Sequence, residues 1–173
     1  MKKNLMSTLM LIFIYSNILG QTEVKCEEGV MKEHGEDMDA YYTQTNTCTY
    51  GNILIKDETM EDADGCKFTC HTVSYNLIET GLEVKLEDLF NNKSELLSKI
   101  NSGLANDFQN LASNNIDCFE GLTYSSATFV SIELSISENG FIFTTQTRVP
   151  GYCEGIAGQV SITISLKEID KYL

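Results

Sequence analysis

One stretch of this chain carries a sustained helical period, and it stands among patterns that belong to strands. Leu96, Leu97, Ile100, Leu104, Phe108 and Leu111 recur at three- and four-residue intervals, the spacing that collects apolar side chains on one face of a helix. Ser94 is placed to cap its start, and Asn114-Asn115 to end it. Gly103 falls in its middle, where glycine costs about 1 kcal/mol relative to alanine. A solitary helix must bury its apolar stripe against another element, and here the rest of the chain offers strands.

The segment leading into this helix, Tyr75 to Phe90, is the most informative local pattern. Lys67 to Leu77 alternates loosely and is rich in Thr, Val and Tyr, which predicts a strand. Glu79-Thr80-Gly81 supplies a turn, and Leu82, Val84 and Leu86 then alternate with Glu83, Lys85 and Glu87 as a short half-buried strand. Leu89 and Phe90 are placed to plug the start of the helix into the sheet. Beyond the helix, Thr128 to Ser137 alternates, Glu138-Asn139-Gly140 is a hairpin signal, and Phe141 to Thr147 returns. Val149 to Gly158 reads as a loop, Val160 to Leu166 as a strand, and Lys167 to Leu173 as a short helix packing Ile169, Tyr172 and Leu173. Upstream, only Thr47 to Ile55 is β-prone, and Asp57 to Asp64 reads as an acidic loop. The expected class is α+β, an antiparallel sheet packed against one long helix and short helices and stapled by disulfides.

The first twenty residues address the chain. Lys2 and Lys3 precede a mostly apolar run from Leu5 to Ile14, and Ser16 to Gly20 closes in small or polar residues. That is the form of a secretory signal peptide, too short to span a bilayer core of about 30 Å. No other long apolar run follows, so no membrane span is expected after cleavage. The organisation expected is a signal peptide at 1–20, an acidic N-terminal subregion at 21–64 and an α+β domain at 65–173. The 45 or so residues of the subregion would hardly bury a core alone. Lys2 and Lys3 are the leader's only charges, so the remainder holds 10 basic against 25 acidic residues, a formal −15. Such a surface repels nucleic acid and anionic lipid and suits cationic partners. All six cysteines, Cys26, Cys48, Cys66, Cys70, Cys118 and Cys153, follow the leader. An even number in a secreted chain implies three disulfides with 15 possible connectivities. Proximity and strand layout favour Cys26–Cys48, Cys66–Cys70 and Cys118–Cys153.

With the elements placed, residues 65–173 resemble the RsiV-like C-terminal domain family of bacterial envelope proteins, a domain of unknown function. The residues that carry the likeness are Tyr75-Asn76, Thr80-Gly81, Leu86 and Asp88-Leu89-Phe90. Downstream they are Gly140-Phe141-Ile142-Phe143, Tyr152, Gly155 or Gly158, Val160 to Ile164, and Glu168 to Leu173. The resemblance implies an α+β fold with helices against an antiparallel sheet. It also implies a binding role in the envelope, since the best-understood member binds lysozyme through its extracellular part. This chain lacks the anti-sigma segment and membrane helix of that member, so signalling does not carry over. Where the family has a Gly-Gly-Ala-His-like stretch, this chain has Ala63-Asp64-Gly65-Cys66.

Chemical motifs are sparse. Cys66 and Cys70-His71 are separated by three residues rather than the two of a haem attachment, and with two histidines in all, His34 and His71, no second ligand pair completes a zinc site. An EF-hand frame around Asp62-Ala63-Asp64-Gly65 would place Met60 and His71 at the end positions, which excludes it; looser calcium binding by Asp57, Asp62 and Asp64 stays open. There is no G-x-S-x-G elbow and no phosphate-cradling loop. Asn92-Lys93-Ser94 has the form of a glycosylation sequon, and Ser94 is read as the helix cap. The expectation is a non-enzymatic protein without cofactor or metal. Its partner would be a cationic wall hydrolase of the lysozyme type or peptidoglycan. A structural envelope module without soluble ligand, or a hydrolase using a carboxylate pair, are the alternatives. Candidate partner-facing residues are Tyr41 and Tyr42, Asp57, Asp62 and Asp64, and Tyr152 with Glu154 in the 149–158 loop.

Overall fold

The computed structural model describes residues 23–35, 41–62, 70–147 and 158–173. Two antiparallel sheets and one long helix make up the fold. The first sheet begins with two three-residue edge strands, β1 (Lys25–Glu27) and β2 (Lys32–His34), laid end to end along β3 (Tyr41–Tyr50). It continues through β4 (Ile53–Asp62), β5 (Cys70–Leu77) and the two-residue β6 (Glu83–Val84). The second sheet runs β7 (Glu133–Ser137), β8 (Gly140–Gln146) and β9 (Gln159–Ile164). Between the sheets in sequence lie α1 (Lys93–Asn114) and a single turn α2 (Ile116–Phe119), and α3 (Leu166–Ile169) closes the chain. The α+β class is as the sequence implies, with two sheets rather than one.

The main departure lies in the N-terminal part. Residues 41–62 form a hairpin of two ten-residue strands that turns at Gly51-Asn52, with Gly51 at φ 58°. The β-prone run Thr47 to Ile55 is therefore the tip of a much longer element, and the expected acidic loop is strand through Asp62. Apolar alternation is missing there because the far half of the hairpin extends past the core. Thr43, Thr45, Thr47 and Thr49 occupy one face of β3, and β-branched residues favour the extended backbone without apolar burial. Since Ile53 to Met60 of β4 pair with β5, the acidic subregion and the following domain share one sheet.

Other corrections are local. Only Glu83–Val84 of the Leu82–Leu86 alternation is strand; Leu82 is 61% exposed, and Leu86–Leu89 is a 3-10 turn that buries Leu86, Leu89 and then Phe90. Helix α1 starts at Lys93 after Asn92, whose φ of 47° is left-handed, so Ser94 lies inside the first turn and does not cap. Asparagine is among the few non-glycine residues that tolerate that backbone. The first half of the predicted strand at Thr128 is a 3-10 turn (Phe129–Ser131) that buries Phe129 and leaves Val130 97% exposed. Gly81 is at φ 66°, as the Thr80-Gly81 turn requires.

Alternation sets the core. In the second sheet Leu134, Phe143 and Ile162 pair across, as do Ile136, Phe141 and Ile164, so all six share one face. Leu96, Ile100, Leu104 and Phe108 of α1 are buried, at the spacing read from the sequence. Each such side chain contributes about 1.5–3 kcal/mol as an upper figure. Gly103 has a packing reason: a Cβ there would lie 1.9 Å from Ile162 Cδ1 and 2.9 Å from its Cβ. Gly103→Ala is therefore expected to destabilise by about 1–2 kcal/mol despite alanine's better helix propensity. In an Ile162→Ala background the loss should shrink, since Cδ1 and Cγ1 are gone while the Cβ contact at 2.9 Å remains; thermal denaturation of the four-member cycle measures both effects.

The first sheet meets the second through aromatic contacts and single hydrogen bonds. Tyr50 packs edge-on against Phe141 at 5.4 Å, and Phe90 lies within 5.9–6.4 Å of Phe129, Phe141 and Phe143. The Leu134 N–H of β7 donates to the Tyr75 hydroxyl at 3.0 Å. Cys26 and Cys48 are cross-strand partners and form a disulfide, worth up to about 3 kcal/mol for a loop of this length on the chain-entropy account. Cys118 is disulfide-bonded too. Cys66 and Cys153 of the remaining expected pairs lie outside the described residues, as does the side chain of Cys70.

Candidate functional site

Because successive residues alternate, the face of the first sheet that buries Tyr50, Ile53, Ile55 and Tyr75 also carries Asn46, Asp57 and His71 further out. The second sheet ends beneath them, and the step between the two encloses a cavity of about 210 Å³. Its floor is apolar (Ile55, Val73, Leu134, Ile136), and its mouth is polar, with Asn46, Asp57 and His71 on one side and Glu133, Ser135 and Gln159 on the other. His71 Nε2 lies 2.8 Å from Asp57 Oδ1, and its Nδ1 lies 3.8 Å from Glu133 Oε2. Asp57 Oδ1 is withdrawn from water and makes no aligned hydrogen bond, although His71 Nε2 lies beside it. The three side chains are 40–59% exposed, open to a ligand and screened by solvent.

No family model matches this chain, and no curated protein matches it.

The sequence-derived candidates are distributed differently. Tyr41 is 38% exposed and stacks on His34 at 4.8 Å, and His34 Nε2 lies 2.8 Å from the Thr43 hydroxyl. Tyr42 points to the opposite face of β3, so the two tyrosines do not make one surface. Asp57 enters the cavity. Asp62 ends β4 opposite Tyr41, its side chain outside the described residues; Asp64, Tyr152 and Glu154 lie outside them entirely. Among the described residues no group of three His, Cys, Asp or Glu is arranged to hold a metal. No helix among the described residues is long and apolar enough to cross a membrane. The cavity also takes His71, Asn46 and Glu133, none of them among the partner-facing residues expected from the sequence. The signal for His71 was its parity with Val73 and Tyr75; that for Glu133 required knowing which sheets meet.

Two buried phenols frame this junction. Burial raises the pKa of Tyr75, against the lowering effect of its bond from Leu134. Tyr50 donates to Asp170 Oδ1 at 2.6 Å, and burial first, then the carboxylate, push its pKa up to about 12. The folded value lies above the ordinary 10.0, so Tyr50's contribution is fully present below about pH 10 and is lost as pH rises towards 12. Tyr50→Phe is expected to flatten that alkaline decline, as read by urea denaturation at pH 9 to 12.

Proposed function

We propose that this protein is a secreted or periplasmic, non-catalytic binding protein of the cell envelope that recognises a cationic wall hydrolase of the lysozyme type. The observation that carries the reading is the pair of carboxylates, Asp57 and Glu133, brought from two sheets to the mouth of one cavity around His71. A chain of formal −13 overall steers cationic partners towards such a site over about a Debye length, roughly 10 Å at 0.1 M salt. The RsiV-like resemblance points the same way, and its markers Leu86, Leu89, Phe90, Phe141, Phe143 and Tyr172 are core residues. They mark a fold, and leave the acidic rim to act in recognition.

The test is retention of hen-type lysozyme and other basic wall hydrolases on the immobilised protein at 20 mM and 500 mM salt. Binding at low salt, weakened about tenfold or more in the Asp57→Asn, Glu133→Gln double variant, is the expected result. Absence of any retained hydrolase at low salt would sink the reading. The same two carboxylates favour one rival, a hydrolase using the pair. Peptidoglycan turnover by the wild type that Glu133→Gln abolishes would establish that instead.

A further inference from the structure

We infer that the open edge of β5 takes up an extended, basic segment of the partner protein as an additional strand. The inference rests on the proposed role as a receptor for a cationic partner, and says which part of the partner is gripped. Leu77 N–H donates sideways to Leu82 O at 2.9 Å, and Tyr75 pairs with Val84. In an antiparallel strand every second residue directs its N–H and C=O to the same side, so Val73 and His71 present theirs on that side as well. The neighbouring strand β6 stops at Val84, and the chain turns away through Leu86–Leu89. No described strand pairs with Val73 or His71 on that edge, which leaves a template for another chain.

A groove of about 480 Å³ runs beside this edge. Val84, Leu86, Phe129 and Ile132 line it, and Val130, 97% exposed, stands on its rim. A strand added to β5 would send alternate side chains into this groove, where apolar ones fit, and the others towards the opposite face. Glu83, Glu87 and Glu133 flank the groove against the single cation Lys85, so the charge complement is basic. A second copy of this chain is the poorer occupant, because two strongly acidic surfaces repel on contact. Recognition would then combine main-chain hydrogen bonds, apolar side chains in the groove and basic side chains at its rim.

The probe is an acetylated, amidated nonapeptide of alternating valine and lysine, titrated into the protein and followed by amide hydrogen exchange. Binding with selective protection of the His71 and Val73 N–H groups is expected, and a valine–glutamate peptide should fail to bind. Val73→Pro deletes the edge N–H without removing a ladder bond to β4, and is expected to weaken the peptide about tenfold; Val130→Asp, at an exposed position, should weaken it too and guards against misfolding of the proline variant. Peptide binding that leaves His71 and Val73 unprotected, or that Val73→Pro does not alter, overturns the inference. So does self-association that Val73→Pro abolishes, which would make a second copy the occupant. Lysozyme retained equally by wild type and Val73→Pro would overturn the edge while the receptor role stands. Edge protection by the peptide, with no hydrolase retained, would uphold the edge and remove the lysozyme reading.

Discussion

Gly140→Ala is expected to destabilise the protein by about 2–6 kcal/mol, although it adds a single methyl group. Gly140 opens β8 opposite Ser137, with φ at 149°, a backbone that L side chains rarely adopt. A Cβ there would lie 2.1 Å from the Ile164 carbonyl oxygen and 2.8–2.9 Å from Ile164 C and Ser165 Cα. These atoms are main chain at the end of β9, so no rotamer change relieves the overlap; either the hairpin or the β9–α3 junction must shift. Strain at such a backbone costs about 1–3 kcal/mol and overpacking a further 1–3 kcal/mol. Ser137→Ala removes two long hydrogen bonds at the same turn, to Gly140 O and from the Asn139 N–H, both at 3.3 Å. It is the control and should cost about 1 kcal/mol. Urea denaturation of both measures the difference; a Gly140→Ala loss under 1 kcal/mol would show that the β9 end is free to move.

Phe141→Ala is expected to cost about 4 kcal/mol, within the usual range for deleting a buried phenylalanine. The ring is fully buried and makes edge contacts with Tyr50 of the first sheet and with Phe90 at the entrance to α1. It is therefore the side chain through which three units of the fold meet. The cavity would open at the centre of the shared core, where the surrounding main chain belongs to strands and a helix, so collapse onto it should be poor. Phe141→Leu, keeping most of the volume, should cost about 1–2 kcal/mol. The more specific expectation concerns Tyr50: in Phe141→Ala its hydroxyl should become accessible, and its titration should move back towards the ordinary value of 10.0, readable by ultraviolet absorbance.

The elements legible in the chain were those whose pattern is answered by a buried face. The α1 stripe, the Thr80-Gly81 and Asn139-Gly140 turns, and the alternation of β8 and β9 each report local geometry directly. The Cys26–Cys48 pairing expected from proximity and strand layout is present, on paired strands. The long hairpin was missed because hydrophobic alternation requires a core on one side, and residues 41–46 and 57–62 overhang it. Polar alternation of threonine with tyrosine, glutamine and asparagine leaves no such trace.

The candidate site was illegible for a different reason. Composition and alternation decide that the chain is acidic, stapled and α+β, and they put Asp57 and His71 on one face once β4 and β5 are paired. Glu133 comes from the other sheet, 62 residues beyond His71, and reaches the ring only because Tyr75 holds the edge of β7 against the first sheet. The open edge of β5 likewise arises because β6 ends after two residues, when Leu86 and Leu89 turn inward to be buried. Local preference follows from neighbours in the chain. Which edges are covered, and which charges come to face one another, follows from how the two sheets share a single core.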